Sequence, residues 1–282
     1  MKQITLEELL EAGCHFGHQV TRSNPKAREF VFEARDNIHI IDLAKTKQGL
    51  EEAGEYVKSL AEKGQSLLVV ATKRQAQGII QGEIARVKEV LENGSKSQDD
   101  SLYYVTNRWI GGILTNLSEV SKNFKKLEDL KDKLQNKEER AKYTKREIGL
   151  WEKEKQRLEN LYGGVSGLKE KPNAMFIIDS HLEELAVKEA RNMGVTTVAV
   201  VDTNADPSII DYPIPANDDA FGSIQLIVAF IMDAWIEGRK EFNKKAKNEK
   251  EKTVKEEVKT KEKKPEKKTT SPKTKRVKKE KK

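Results

Sequence analysis

Four histidines, at positions 15, 18, 39 and 181, and one cysteine, Cys14, are the imidazole and thiol groups of this 282-residue chain. His15-Phe-Gly-His18 has a spacing that two metal ligands could share, and Asp202 and Asp206 could complete such a set. The glycine between them favours a loop over a ligand-bearing helix. These histidines are therefore expected to bond backbone carbonyls or phosphate, and no metal is assigned. A single thiol excludes an internal disulfide framework and any cysteine-rich metal site, in keeping with a reducing compartment. Nucleotide chemistry finds no support either: no G-x-G-x-x-G follows an apolar run, and no G-x-x-x-x-G-K-[ST] occurs. After Gly111-Gly112, Leu114 and Thr115 stand where further phosphate-cradling glycines would be needed. Gly164-Val-Ser-Gly167 misses the nucleophile-elbow spacing by one position. Asp179 and Asp202 close apolar runs, where capping and loop geometry account for them, and Ser180 reads as a helix N-cap. No catalytic residue, cofactor or small-molecule substrate follows from these patterns.

The cations are more informative. Three loops mix them with amides, glycines and aromatics. The first, Gly13 to Arg28, carries Arg22, Lys26 and Arg28 with His18 and Asn24 as hydrogen-bonding groups. The second, Ala71-Thr-Lys-Arg74, puts Lys73 and Arg74 at the end of an apolar run, and the third, Asn107 to Asn116, contains Arg108-Trp109. Such mixtures suit a phosphate backbone, where guanidinium and ammonium groups replace condensed counterions. Trp109 is assigned to the core rather than to base stacking. Reversing Lys73 and Arg74 to glutamate is expected to weaken RNA-dependent assembly without unfolding the protein.

Elements must hold those loops. Short apolar runs at 38–41, 67–71, 102–105, 175–178 and 197–201 read as buried parallel strands. Helical patterns lie between them: 45–62 aligns Leu50, Ala53, Val57 and Leu60, while 182–193 aligns Leu185, Ala186, Glu189 and Ala190. Gly64 and Gly194 sit where helix C-terminal caps belong. The pattern predicts a doubly wound α/β domain. Residues 117–162 differ, with 13 Lys or Arg against 10 Asp or Glu and apolar positions at 120, 124, 127, 130 and 134, then 148, 151, 158 and 161. They predict an antiparallel helical hairpin offering Lys125, Lys126 and Lys133 to RNA or Phe124 to a neighbouring protein.

Charge is unevenly distributed. Residues 239–282 hold 21 basic and 8 acidic residues, a net of +13, whereas residues 1–238 hold 32 and 38, a net of −6. The basic character belongs to a tail, which excludes a uniformly basic histone-like protein. From about Lys244 the segment is too poor in apolar residues to form a core, and is expected to be disordered when free and to serve as a basic arm. The N-terminal residues carry acids where a leader peptide needs an apolar run, and Leu226–Met232 is far shorter than a membrane span. A soluble, cytosolic protein without a membrane partner is expected.

Several blocks together resemble one family. Ala12-Gly-Cys-His-Phe-Gly-His18, Asn24-Pro-Lys26, Ile38-His-Ile-Ile-Asp-Leu43 with Lys45-Thr46, Thr72-Lys-Arg74, Asn107 to Asn116, Leu161-Tyr-Gly-Gly164, Asp202 to Pro207 and Ile214 to Ala220 occur in order over about 6–239. This series is similar to the bacterial form of the universal small-subunit ribosomal protein number two. The resemblance implies a flavodoxin-like (Rossmann-like) parallel sheet between helices, in two parts at 1–116 and 162–238. It further implies an inserted α-helical coiled-coil hairpin at 117–161, with a lysine-rich disordered tail at 239–282 outside its reach. It implies a non-enzymatic, ribosome-associated cytoplasmic protein that binds small-subunit ribosomal RNA near the head–body junction. Partners would include neighbouring small-subunit proteins, among them the large protein number one. The RNA-contacting set would be His18, Arg22, Asn24, Lys26, Arg28, Lys73, Arg74, Arg108, Lys125 and Lys126. A nucleotide-binding protein and a free coiled-coil adaptor are the alternatives. The basic tail departs from the family's usual short ending.

Overall fold

The computed structural model describes residues 3–92 and 101–262, with side chains to residue 245 except at 137 and 139. By their contacts these residues belong to two units, 1–242 and 243–282. A small antiparallel sheet comes first: β1 (Phe16–Gln19), β2 (Val31–Arg35) and β3 (Ile38–Ile41), in the order β1-β3-β2. Its β2–β3 hairpin closes on Asp36-Asn37, both at positive φ (51° and 63°), the backbone that a two-residue turn needs to match strand twist. The run at 38–41 is thus no part of the main sheet, contrary to expectation. A four-residue apolar run cannot by itself distinguish a central parallel strand from one in a small antiparallel sheet.

The main sheet is fully parallel. It contains β4 (Leu67–Val70), β5 (Leu102–Val105), β6 (Ala174–Ile177), β7 (Thr196–Val201) and β8 (Tyr212–Pro215), ordered β5-β4-β6-β7-β8. Each strand is apolar on both faces because helices cover both. Leu67, Val69, Phe176, Val198 and Ile214 meet α2 (Leu43–Glu62), α3 (Arg74–Glu92) and the start of α8 (Phe221–Glu262), with α1 (Leu6–Glu11) alongside. Leu68, Val70, Met175, Ile177 and Ala199 face the opposite core, with α4 (Leu117–Gln135), α6 (Lys145–Tyr162) and α7 (Glu184–Met193). The short α5 (Lys137–Arg140) lies in the connection between α4 and α6. The α/β expectation is met, as a Rossmann-like parallel sheet flanked by helices.

Helices α4 and α6 face each other. Partners advance along one as they recede along the other: Phe124 meets Tyr162, Lys126 pairs with Glu154 at 2.7 Å, and Lys133 lies 5.8 Å from the Trp151 ring centre. The pair is therefore antiparallel, and its apolar residues Leu127, Leu130 and Leu158 continue the second core. Phe124 is buried in that contact, so it is no docking residue.

Helix α8 revises two expectations. Residues 221–245 are long and apolar enough to cross a membrane by composition, yet 61% of the most apolar window is buried inside the protein, led by Ile227, Ile231 and Trp235. It is the core helix of the first face. Its backbone then stays helical to Glu262, where disorder was expected from about Lys244. A composition that cannot form a core is still compatible with helical backbone: neither glycine nor proline occurs between Arg239 and Glu262. The remainder of the tail, 263–282, lies outside the described residues.

Candidate nucleic-acid interface

Strand order decides where the loops converge. The chain passes outward from β4 to β5, then returns to β6 on the other side of β4, so β4 and β6 flank the point where the winding reverses. In such sheets the carboxyl ends open a crevice at that point. Four neighbouring strands deliver charged groups there: Lys73 follows β4, Asp179 follows β6, Asp202 follows β7, and Asp218 and Asp219 follow β8. The Lys73 ammonium lies 2.8 Å from Asp218, 2.7 Å from Asp219 and 3.0 Å from Asp179. Asp218 is fully buried. Asp179 is held at φ 68°, a left-handed backbone that costs a non-glycine residue about 1–3 kcal/mol. Its carboxylate accepts the Leu182 N–H at 2.8 Å, and α7 begins only at Glu184, so Ser180 is not the N-cap.

His18 reaches the cluster from the small sheet. Its Nδ1 lies 3.1 Å from Asp202, and its Nε2 lies 3.3 Å from Asn204 Nδ2 and 3.6 Å from Asp219. Gly17 permits this approach, because a Cβ there would stand 2.7 Å from Thr203 Cγ2 and 3.0 Å from the His39 carbonyl. The Thr203 hydroxyl accepts the His18 N–H, and its carbonyl accepts the Asn24 N–H. The first cationic loop is thereby fastened to the end of β7.

One ammonium cannot neutralise four carboxylates. Burial, with the nearby Asp179 and Asp202 charges, pushes Asp218 up to about 7 despite Lys73. Burial alone would lower the Lys73 ammonium, but Asp218, Asp219 and Asp179 outweigh it and hold Lys73 well above its ordinary value. The hydrogen bond to Asp202 raises His18 against the effect of burial. His18, Asp218 and Asp219 bring three potential ligand atoms within 4.8 Å of one another. This donor set would fit a cation, with Lys73 competing for the same carboxylates. The set expected from sequence spacing differs: Asp206 bonds Lys26 and Ser208 instead.

The predicted RNA-contacting residues divide. Arg22, Arg28, Arg74, Arg108 and Lys125 are exposed and make no side-chain ion pair or hydrogen bond among the described residues. The first four lie on loops or helix starts along the carboxyl edge of the sheet or on the small sheet's connection, while Lys125 stands apart on α4. Lys26 is exposed but held by Asp206 at 2.6 Å and Ser208 at 3.0 Å. Lys126 pairs with Glu154, and Asn24 caps a 3₁₀ turn through the Lys26 N–H. Lys73 is turned inward as a counter-ion with only 14% of its side chain exposed. In the double reversal of Lys73 and Arg74, the Lys73→Glu half would add a further carboxylate to a buried acidic cluster, so its effect on the fold has to be measured beside its effect on assembly.

Two groups were present in the sequence patterns but received no role there. Glu189 accepts from Trp109 Nε1 at 3.2 Å, the N–H groups of Gly112, Leu114 and Thr115 at 2.8–3.3 Å, and the Thr115 hydroxyl at 3.2 Å. It builds the loop that carries Arg108, with Gly112 at φ 95° allowing the turn. Its signal was an acid on the apolar face of a helix. Asp218 and Asp219 were missed because β8, Tyr-Pro-Ile-Pro, reads poorly as a strand. Trp109 is buried as expected.

The family profile described as "Ribosomal protein S2" matches residues 9–238. The chain is 45% identical over 236 residues to "Small ribosomal subunit protein uS2" of Roseiflexus sp., covering 84% of this chain and 85% of that protein. It is 42% identical over 245 residues to the protein of the same description from Geotalea uraniireducens, covering 87% and 90%. The counterpart from Bdellovibrio bacteriovorus is 41% identical over 247 residues, covering 88% and 74%.

Proposed function

Because the chain belongs to the ribosomal protein S2 (uS2) family, we propose that it is a structural constituent of the small ribosomal subunit that binds ribosomal RNA near the head–body junction. Proteins of this family are structural, non-enzymatic components of the small subunit. The observation that carries the RNA reading is the set of exposed, unpartnered guanidiniums Arg22, Arg28, Arg74 and Arg108. Their loops are fixed from behind by buried polar groups, Asp202 and Thr203 for the first and Glu189 for the last. Fixed cations lose little entropy on meeting phosphate, and they release condensed counterions. Lys26, His18 and Asn24 brace the first loop, with Lys26 free to exchange Asp206 for a phosphate. Lys73 serves the fold rather than the RNA.

The helical hairpin acts as a coiled-coil extension of the α/β domain, and Lys125 belongs to its RNA-facing side. Docking of the large small-subunit protein number one falls to exposed apolar residues of the small sheet, where Phe32 is 71% exposed and Phe16 is 49% exposed. Cytoplasmic ribosomes are the location that follows.

Sucrose-gradient sedimentation of a lysate tests this reading. The chain should travel with small subunits at low and moderate salt. Arg22→Glu with Arg28→Glu and Arg74→Glu should move it to the top of the gradient while its circular dichroism is unchanged. A folded triple variant that still sediments with subunits at moderate salt refutes the assignment.

A further inference from the structure

The end of the hairpin carries a second arrangement that the carboxyl-edge loops do not explain. Residues 137–146 contain five basic residues and two acidic ones. Ala141 through Glu147 are all exposed. Within that stretch Lys142, Lys145 and Arg146 make no ion pair or side-chain hydrogen bond among the described residues. Most cations along the body of the hairpin behave differently: Lys122, Lys126, Lys131, Lys155 and Arg157 each pair with a glutamate. The nearest acid in the stretch, Glu147, is already engaged, since its carboxylate accepts the Thr144 N–H at 2.9 Å and hydroxyl at 2.8 Å in a capping box.

An aromatic ring sits among these free cations. Tyr143 is 43% exposed and rests edge-to-face on Trp151, with ring centres 4.5 Å apart at 63°. Trp151 is half-buried and has the Lys133 ammonium 5.8 Å from its centre. Tyr143 is therefore braced in position. An exposed ring resting on a second ring and flanked by unpaired cations is the arrangement by which proteins hold unstacked bases and their phosphates.

We propose that the hairpin tip is a second RNA-contact site, with Tyr143 stacking on an unpaired base and Lys142, Lys145 and Arg146 meeting the adjoining phosphates. The proposal rests on the ribosomal reading and names the class of RNA: a single-stranded loop or bulge rather than a duplex, whose stacked bases offer no face to Tyr143. The exposed Leu150 one turn on would suit a protein partner instead, but the excess of free cations matches a polyanion.

Tethered cleavage tests it in the intact subunit. Cys14 is buried, so Ala141→Cys and, beside the first cationic loop, the exposed Glu29→Cys each create a single accessible thiol for an iron–EDTA probe. Cuts from Ala141→Cys in unpaired ribosomal RNA nucleotides, alongside cuts from Glu29→Cys, are the expected result. Cuts from Glu29→Cys with none from Ala141→Cys, or tip cuts confined to duplex, overturn the tip site and leave the ribosomal reading intact. A chain that never enters subunits overturns the ribosomal reading instead. In a second measurement the full chain is titrated with a short oligoadenylate. Tyr143→Ala should weaken binding about 5- to 150-fold, the range for losing one stacked base, while Tyr143→Phe keeps it. Replacing Lys142, Lys145 and Arg146 by alanine should reduce the salt slope by about 2. Equal affinity for Tyr143→Ala and the parent chain refutes the stacking role.

Discussion

Replacing Lys73 by methionine should destabilise the fold in a strongly pH-dependent way. The side chain keeps its length but loses the one ammonium that lies within 3.0 Å of Asp179, Asp218 and Asp219. Removing one partner from a buried ion pair costs about 3–5 kcal/mol, because the remaining charge has no compensation. Asp218 titrates near 7 instead of 3.8 even with Lys73 present. Keeping it ionised above pH 7 then costs the fold roughly 4 kcal/mol, at about 1.36 kcal/mol per pH unit. An acid raised in the folded state contributes stability that is complete below about pH 4 and is lost as pH rises through 7. His18, raised by Asp202, contributes in the same direction. The parent chain should therefore weaken between pH 5 and 8, and Lys73→Met should weaken more steeply, since Asp218 then lacks its cation. Urea unfolding followed by far-ultraviolet circular dichroism measures both. With a slope of about 2 kcal/mol per molar urea, the variant's midpoint should fall by roughly 1.5–2.5 M at pH 8. At pH 5 Asp218 is protonated in the parent and the variant alike, so the substitution strands no charge on it, and the fall should be less than half as large. Equal losses at the two pH values, or a loss below about 1 kcal/mol at pH 8, would refute the reasoning.

Three further outcomes follow from the same geometry. Glu189→Ala removes a buried acceptor shared by five donors, so a loss of about 3–5 kcal/mol and red-shifted Trp109 emission are expected; an unchanged urea midpoint would contradict this. Two glycine-to-alanine changes should have opposite signs: a Cβ on Gly164 would collide with the Tyr104 carbonyl and cost about 1–3 kcal/mol, whereas Gly78 in α3 faces open space and alanine should add about 0.5–1 kcal/mol. Thermal melts of the two variants give the comparison. Cys14 is buried and its thiol is pushed up by that burial, so disulfide-exchange reagents should label it at the unfolding rate; rapid labelling of the folded chain would show the core to be open there.

The secondary elements of the main sheet were legible where burial leaves an uninterrupted signature. Runs such as Leu67–Ala71 and Thr197–Val201 are apolar because both faces are covered, and Gly194 marks a helix end because only its left-handed backbone (φ 64°) is needed there. The hairpin was legible from its three- and four-residue spacing. Strand β8 was not, since two prolines suppress the strand signal at a sheet edge. Nor was the tail's helix, because low apolar content argues against a core without arguing against a helix.

For the candidate site, local sequence determined which cations exist and that they lie in glycine-bearing loops at strand ends. It also carried the ordered blocks that identify the family. Only the tertiary structure decided which of those cations are free. Lys73 and Arg74 are adjacent and chemically alike in sequence, yet Arg74 starts a helix and is exposed, while Lys73 faces three carboxylates from two loops 106–146 positions away. A charge's availability depends on what lies within a few ångströms of it, and those neighbours come from distant strands that meet only when the parallel sheet aligns their carboxyl ends.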